Sequence, residues 1–292
     1  MKSDNDKIHK AVSLLVGQMQ SGVLSHCNQN GERYPSGDEL AAIVDLCYAI
    51  LFPGFFGDST SVNADTLKYH IGVNVEKLHV KLVEQLIAGM CFDTDDKKGP
   101  ETRTADAREM ASDFIESLPD IRDVVCTDVE AIFRGDPAAK NYGEIILAYP
   151  GLKAIVNYRI AHKLLEVGAN PLMPRMITEM AHSVTGIDIH PGATIGRYFA
   201  IDHGTGVVIG ETTIIGENVK LYQGVTLGAR SFPSDENNVI IKGILRHPII
   251  EDNVVIYAGA TILGRITIGH DSVIGGNTWI TESVPARSRV TL

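Results

Sequence analysis

Apolar residues recur at every sixth position over the last third of the chain. The row runs Ile189, Ile195 and Ile201, then Ile209, Ile215, Leu221 and Leu227, and after a gap Ile250, Ile256, Ile262, Ile268, Ile274 and Ile280. A period of six fits neither an amphipathic helix nor an antiparallel meander, and a fixed self-similar period of this kind marks a stacked β-solenoid. Each hexad supplies one short strand and one corner, so three hexads close a triangular coil of about 18 residues. Side chains alternate along a strand, so the residue two places before each apolar position also points inward. Those positions hold Ala193, Phe199, Val207, Thr213, Val219, Val225, Val254, Ala260, Ile266, Ser272 and Thr278. Small and β-branched residues predominate, as the inside of a narrow prism requires.

The rhythm breaks twice. Between Ile201 and Ile209 the spacing is eight, which adds two residues within Asp202-His203-Gly204-Thr205-Gly206. Between Leu227 and Ile250 it is 23, so most of 229–246 must leave the prism as a loop. A solenoid accepts insertions at its corners, and such insertions often form the binding face. Both breaks carry a histidine.

The first two thirds change period. Apolar residues at helical spacing predict helices over 7–19 and 38–51, with a Gly-, Asn- and Pro-containing connector over 27–37. The stripe Leu67, Ile71, Val75, Leu78, Leu82 and Ile87 predicts one or two helices over 63–92. The polar run 93–104 reads as a loop, and helices follow over 105–117 and 119–133. In Asp136-Pro137-Ala138, the aspartate is placed to cap a new helix with proline at its first position. Further helices are expected over 152–167, stopped by Gly168, and over 174–185. The expected fold class is α+β, with an α-helical N-terminal domain over 1–185 and a parallel β-solenoid over 186–292.

Composition narrows the partners. At 292 residues, with 44% hydrophobic and 21% charged residues, the chain has the makeup of an ordinary soluble protein with a sizeable core. A net charge of -10 without a long basic run argues against nucleic acid. No apolar run is long enough for a bilayer, and residues 1–10 are too polar for a signal peptide, so the expected location is the cytoplasm. Cys27, Cys47, Cys91 and Cys126 lack metal-ligand spacing and read as reduced, buried thiols.

Counting hexads in threes stacks Asp188, just before the first hexad, on the same prism edge as His203. A carboxylate beside an imidazole fixes its tautomer and stabilises the imidazolium, which is how a general base is built. The bland alternative is a histidine that merely fills a bulged corner, but the insertion and the stacked Asp188 favour function. Arg246-His247-Pro248 ends the second break at a different corner, where Arg246 offers a bidentate clamp for a carboxylate. It could most easily meet His203 across a subunit interface, in an assembly around a threefold axis. The solenoid holds no cysteine for a covalent intermediate. His190, His203, His247 and His270 lack an i, i+4 pair, so no metal is expected.

The runs Asp188-Ile189-His190-Pro191, Asp202-His203-Gly204-Thr205-Gly206, Val225-Thr226-Leu227-Gly228 and Arg246-His247-Pro248 closely resemble the serine O-acetyltransferases. The similarity extends from Asp136-Pro137-Ala138, through Asn157-Tyr158-Arg159-Ile160-Ala161-His162, to about Val284. The resemblance implies a left-handed parallel β-helix and acetyl transfer from acetyl-CoA to the hydroxyl of L-serine, as in cysteine biosynthesis. It implies His203 as base with Asp188 orienting it, and Asp136, Asp202, Arg246 and His247 as serine contacts. Gly228, Ala229, Ala258, Gly259 and Gly276 would receive the pantetheine arm of CoA, where small residues let it lie against the coils. It further implies a homotrimer, paired by its helical parts into a hexamer. O-acetylserine sulfhydrylase is the partner implied through a C-terminal tail, and the residues after Val284-Pro285 do not match that tail.

Other functions fit less well. A solenoid carbonic anhydrase needs three zinc histidines at a spacing absent here. A pure scaffold leaves the insertion at His203 without a purpose. Acyl transfer to a sugar or to homoserine is the nearest alternative, and paired clamps of opposite charge, Asp136 and Arg246, favour an amino acid.

Overall fold

The structure is a computed structural model, and it describes residues 2–18, 34–57, 62–93, 97–231, 233, 235, 236 and 238–291. Residues 1–34 and 35–292 form two compact units. The first contains α1 (Lys2–Gln18). In the second, α2 (Gly37–Leu51), α3 (Leu67–Phe92), α4 (Pro100–Glu116), α5 (Leu118–Gly135), α6 (Tyr142–Ala148), α7 (Pro150–Glu166) and α8 (Leu172–Thr185) precede the solenoid. Most of the connector expected over 27–37, and Cys27, fall outside the described residues. No described helix is long and apolar enough to cross a membrane.

Among the described residues, fourteen short strands follow. They are β1 (Asp188–Ile189), β2 (Thr194–Ile195), β3 (Ala200–Asp202), β4 (Val208–Ile209), β5 (Ile214–Ile215), β6 (Lys220–Tyr222) and β7 (Thr226–Gly228), then β8 (Ile249–Ile250), β9 (Val255–Ile256), β10 (Thr261–Leu263), β11 (Thr267–Ile268), β12 (Val273–Ile274), β13 (Trp279–Ile280) and β14 (Arg289–Val290). All pair in parallel, in three sheets: β1-β4-β7-β10-β13, β2-β5-β8-β11 and β3-β6-β9-β12-β14. Val208 lies opposite Thr226, 18 residues on, as the hexad count requires. The offset is 20 between Asp188 and Val208, across the inserted corner, and 35 between Thr226 and Thr261, across the long loop.

Every apolar residue of the six-residue row is buried, from Ile189 to Ile280. Of the second inward row, all are buried except Ile266, which is only half-buried beside the end of the long loop. The three prism edges are built differently. On the edge between the second and third sheets, Tyr198, Asn218, Asn253, Asp271 and Arg287 all adopt positive φ. Asparagine and aspartate tolerate that left-handed backbone better than most residues. Here they also form a ladder: Asn218 Nδ2 donates to Asn253 Oδ1 at 2.8 Å, and Asn253 Nδ2 to Asp271 Oδ1 at 3.0 Å. On the edge between the third and first sheets the left-handed positions include a column of glycines, Gly206, Gly224 and Gly259, stacked almost bare, alongside His203, Gly204 and Asn277.

The helices differ from the sequence reading in three places. Helix α4 begins at Pro100, inside the run expected to be a loop, because proline suits the first helical turn. Asp136 does not open a helix. It terminates α5, and its Oδ1 accepts from Ala138 N at 2.8 Å in a local turn. The helix that follows is the short α6, capped instead by Asn141, whose Oδ1 accepts from Glu144 N at 2.9 Å. Of the thiols, Cys47 is buried, which pushes it up to about 12, whereas Cys91 is half-buried and Cys126 exposed, against the expectation of burial.

A buried ion pair docks the helices onto the first coil. Asp128 on α5 is fully buried, with Arg159 Nε and Nη2 of α7 each 3.2 Å from its oxygens, and it also accepts from Phe199 N at 2.9 Å. Arg159 donates onward to the carbonyls of Ile195 and Gly196, and Tyr158 Oη donates to Ala193 O. Asp128→Ala should therefore strand a buried guanidinium and cost about 3–5 kcal/mol in denaturant unfolding. A loss below about 1 kcal/mol would show that the pair does not anchor the docking.

Candidate functional site

The inserted corner carries His203 with φ 57, in the left-handed region. The corner rests on the coil below, where Gly206 N donates to Gly186 O at 2.8 Å. The strained backbone turns the imidazole outward: its side chain is 74% exposed, and no hydrogen bond to a described residue occupies either ring nitrogen. Its nearest ionic neighbour is Asp202, with Oδ1 3.9 Å from Nε2.

Two carboxylates converge on this corner. Asp136, delivered by the end of α5, accepts from Tyr149 Oη at 2.6 Å, and this bond, followed by that from Ala138 N, holds its carboxyl below the usual range. The same bond raises the Tyr149 phenol to about 12, so it remains a donor at neutral pH. Asp202 ends β3 and pairs with Lys220 of β6, Oδ2 to Nζ 2.9 Å. Lys220 Nζ also donates to Gly135 O at 2.7 Å, which joins the two segments.

Arg246 and His247 sit on another edge, between the first and second sheets. His247 is buried, and its Nδ1 accepts from Thr212 N at 3.0 Å, so the ring proton lies on Nε2. Burial, followed by the charge of Arg246, lowers its pKa to about 4. It is a neutral donor. Arg246 Nη2 pairs with Glu211 Oε2 at 2.6 Å. Beneath them Arg265 Nη1 donates to Thr212 O at 2.7 Å and to His247 O at 3.0 Å, which fixes the exit of the long loop.

The expected site residues thus fall into groups. Asp136, Asp202 and His203 meet on one edge of the chain, while Arg246 and His247 occupy a second. Asp188 heads β1, but the register sets Val208 opposite it, and its carboxylate accepts from Arg175 Nη1 at 3.4 Å. No hydrogen bond joins it to His203 among the described residues. Ala258, Gly259 and Gly276 lie along the glycine edge beyond His203, whereas Gly228 and Ala229 mark the start of the long loop. Glu179, His182 and Asp188 have metal-like spacing among the described residues, yet Arg175 pairs with both carboxylates and would repel a cation. Sequence reasoning missed Tyr149, Thr212, Lys220 and Arg265. Thr212, Lys220 and Arg265 had a usable signal, each standing in the coil next to a chosen residue.

A prism of six-residue repeats with a histidine on an inserted corner defines a hexapeptide-repeat transferase. Residues 247–282 match the family described as bacterial transferase hexapeptide (six repeats), and residues 76–157 that described as serine acetyltransferase, N-terminal. A serine acetyltransferase of Synechococcus elongatus is 45% identical over 98% of this chain and 93% of its own length. That of Bacillus subtilis is 47% identical over 56% of this chain and 70% of its own. Among solved structures, serine acetyltransferase 1 of Entamoeba histolytica in complex with L-cysteine is similar at a TM-score of 0.75 and 36% identity, covering 94% of this chain and 95% of that one. The Neisseria gonorrhoeae enzyme in complex with serine gives 0.56 and 28%, over 85% and 95%. The chain belongs to the serine acetyltransferase family and is an acyltransferase.

The neutral state of His247 has a measurable consequence. Unfolded, the imidazole takes a proton near 6.5, whereas folded it does so only near 4. The unfolded chain therefore binds more protons between these values, and this group's share of stability is lost as pH falls through that window. A Cβ on Gly210 would lie 2.1 Å from His247 Cδ2. Gly210→Ala should expel the ring and move its titration by NMR back up towards 6.5; an unmoved titration would refute the seat described for it.

Proposed function

We propose that the chain transfers acetyl from acetyl-CoA to the hydroxyl of L-serine, giving O-acetyl-L-serine and CoA. The observation that carries the reading is the His203 corner, where an unencumbered imidazole stands beside two pinned carboxylates. Asp136 and Asp202 take the substrate ammonium. Arg246 and neutral His247 take the substrate carboxylate, the first as a charged fork and the second through Nε2–H. These two halves occupy separate edges of one chain, so the clamp comes from a neighbouring copy around a threefold axis. Pairing of trimers through their helical parts gives the hexamer.

His203 removes the serine hydroxyl proton as Oγ attacks the thioester carbonyl, and it returns that proton to the departing thiolate sulfur. Asp188, at the foot of the corner, orients the imidazole and stabilises its charged form. Acetyl-CoA supplies the thioester and is a substrate rather than a resident cofactor. The glycine edge suits its arm: Gly206, Gly224 and Gly259 leave backbone bare beyond His203, and a Cβ on Gly259 would already lie 2.3 Å from Asn277 Oδ1. Ala258 and Gly276 line the same edge, and Gly228 with Ala229 offers the neighbouring copy's wall.

CoA release measured with L-serine, homoserine and common sugars tests the assignment; turnover with a sugar and none with serine would sink it. His203→Ala should lower kcat by about 10²–10⁴-fold with the assembly intact. Mixing His203→Ala with His247→Ala subunits, each inactive alone, should restore some activity, because one of the mixed interfaces carries both intact residues. Strict inactivity of the mixture would place the whole site within one chain.

A further inference from the structure

Lys220 is the charge that the reading above does not use. Its side chain is 17% exposed, and its ammonium is shared between three partners: Asp202 Oδ2 at 2.9 Å, Gly135 O at 2.7 Å and the face of the Tyr222 ring, 4.5 Å to the centroid. Gly135 is the last residue of α5 and immediately precedes Asp136. One ammonium therefore touches both segments that present the carboxylates. Burial opposes its charge, but the hydrogen bonds to Asp202 and Tyr222 outweigh burial and raise its pKa.

The two carboxylates are held by different means. Asp136 has Tyr149 Oη on one oxygen and Ala138 N on the other. Asp202 has Lys220 on Oδ2, which leaves Oδ1 turned towards His203. Without the ammonium, two uncompensated negative charges would face one corner, and the tie from the end of α5 to Asp202 would be lost. With it, one negative charge remains for the single ammonium of an α-amino acid, and the oxygen facing His203 has a fixed place.

We propose that Lys220 is a positioning residue for serine: it pins Asp202 beside His203 and ties the Asp136 turn to the same corner. The proposal rests on the acetyl-transfer reading. Its test is steady-state kinetics of the full chain with Lys220→Met and Lys220→Arg, varying L-serine and acetyl-CoA separately. Lys220→Met should raise the KM for serine about tenfold or more and leave that for acetyl-CoA within about twofold, and Lys220→Arg, which keeps the charge, should recover most of the serine KM. A serine KM within about twofold of the parent in Lys220→Met overturns the proposal. So does an equal rise in both KM values with a lowered melting temperature, which marks a tether between helices and prism and nothing more. Should Lys220→Met not fold, Lys220→Gln, which keeps a donor for Gly135 O, decides by the same criteria. A parent that releases no CoA with serine instead overturns the acetyl-transfer reading, and the role of Lys220 falls with it.

Discussion

The arrangement of this molecule depends on the buried pair Asp128–Arg159. Removing both charges from water is costly, and burial outweighs the pull of Arg159 enough to raise the Asp128 carboxyl to about 6. What the pair supplies is direction. Asp128 reads the Phe199 amide and Arg159 the carbonyls of Ile195 and Gly196, so helices α5 and α7 can sit on the first coil in one register only. Asp136 lies eight residues beyond Asp128, at the end of the same helix, and owes its place above β3 and β6 to that fixed docking.

The prism acts as a ruler with three unlike edges. Backbone hydrogen bonds between coils set the spacing, and the two inward rows set the girth, so each corner falls at a determined height. One edge is braced by side-chain amides, a second carries a column of bare glycines beside His203, and the third carries a buried histidine with its arginine. Chemistry requires only that two of these edges interrupt the regular count. The extra residues at His203 push an imidazole outward without disturbing the next strand, because the offset of 20 returns to 18 within one coil.

Much of this was legible in the residues, and the limits have physical causes. Hexads announce themselves because every inward position obeys the same steric rule, and the breaks stand out against it. Helix α6 escaped notice because seven residues span too few turns for a stripe to show. Asp136 was misread as an opening cap because Asx residues bond neighbouring amides at either end of a helix, and local sequence does not say which. Lys220 and Arg265 each have one partner a coil away, Asp202 and His247, but their second contacts, to backbone carbonyls 85 and 53 residues away, leave no mark on the sequence. Tyr149 likewise gains its meaning only when α6 folds back towards α5.

The asparagine ladder has a slower consequence. Neighbouring coils stand about 4.8 Å apart, the distance at which like charges oppose each other directly. Hydrolysis of the Asn218 and Asn253 amides would leave three stacked carboxylates where Asn218, Asn253 and Asp271 now share donors and acceptors. Among the described residues, the glycine and clamp edges hold no such amide ladder. Loss of those two amides would thus act first on the scaffold, through repulsion along one prism edge, and leave the side chains of the inserted corner in place.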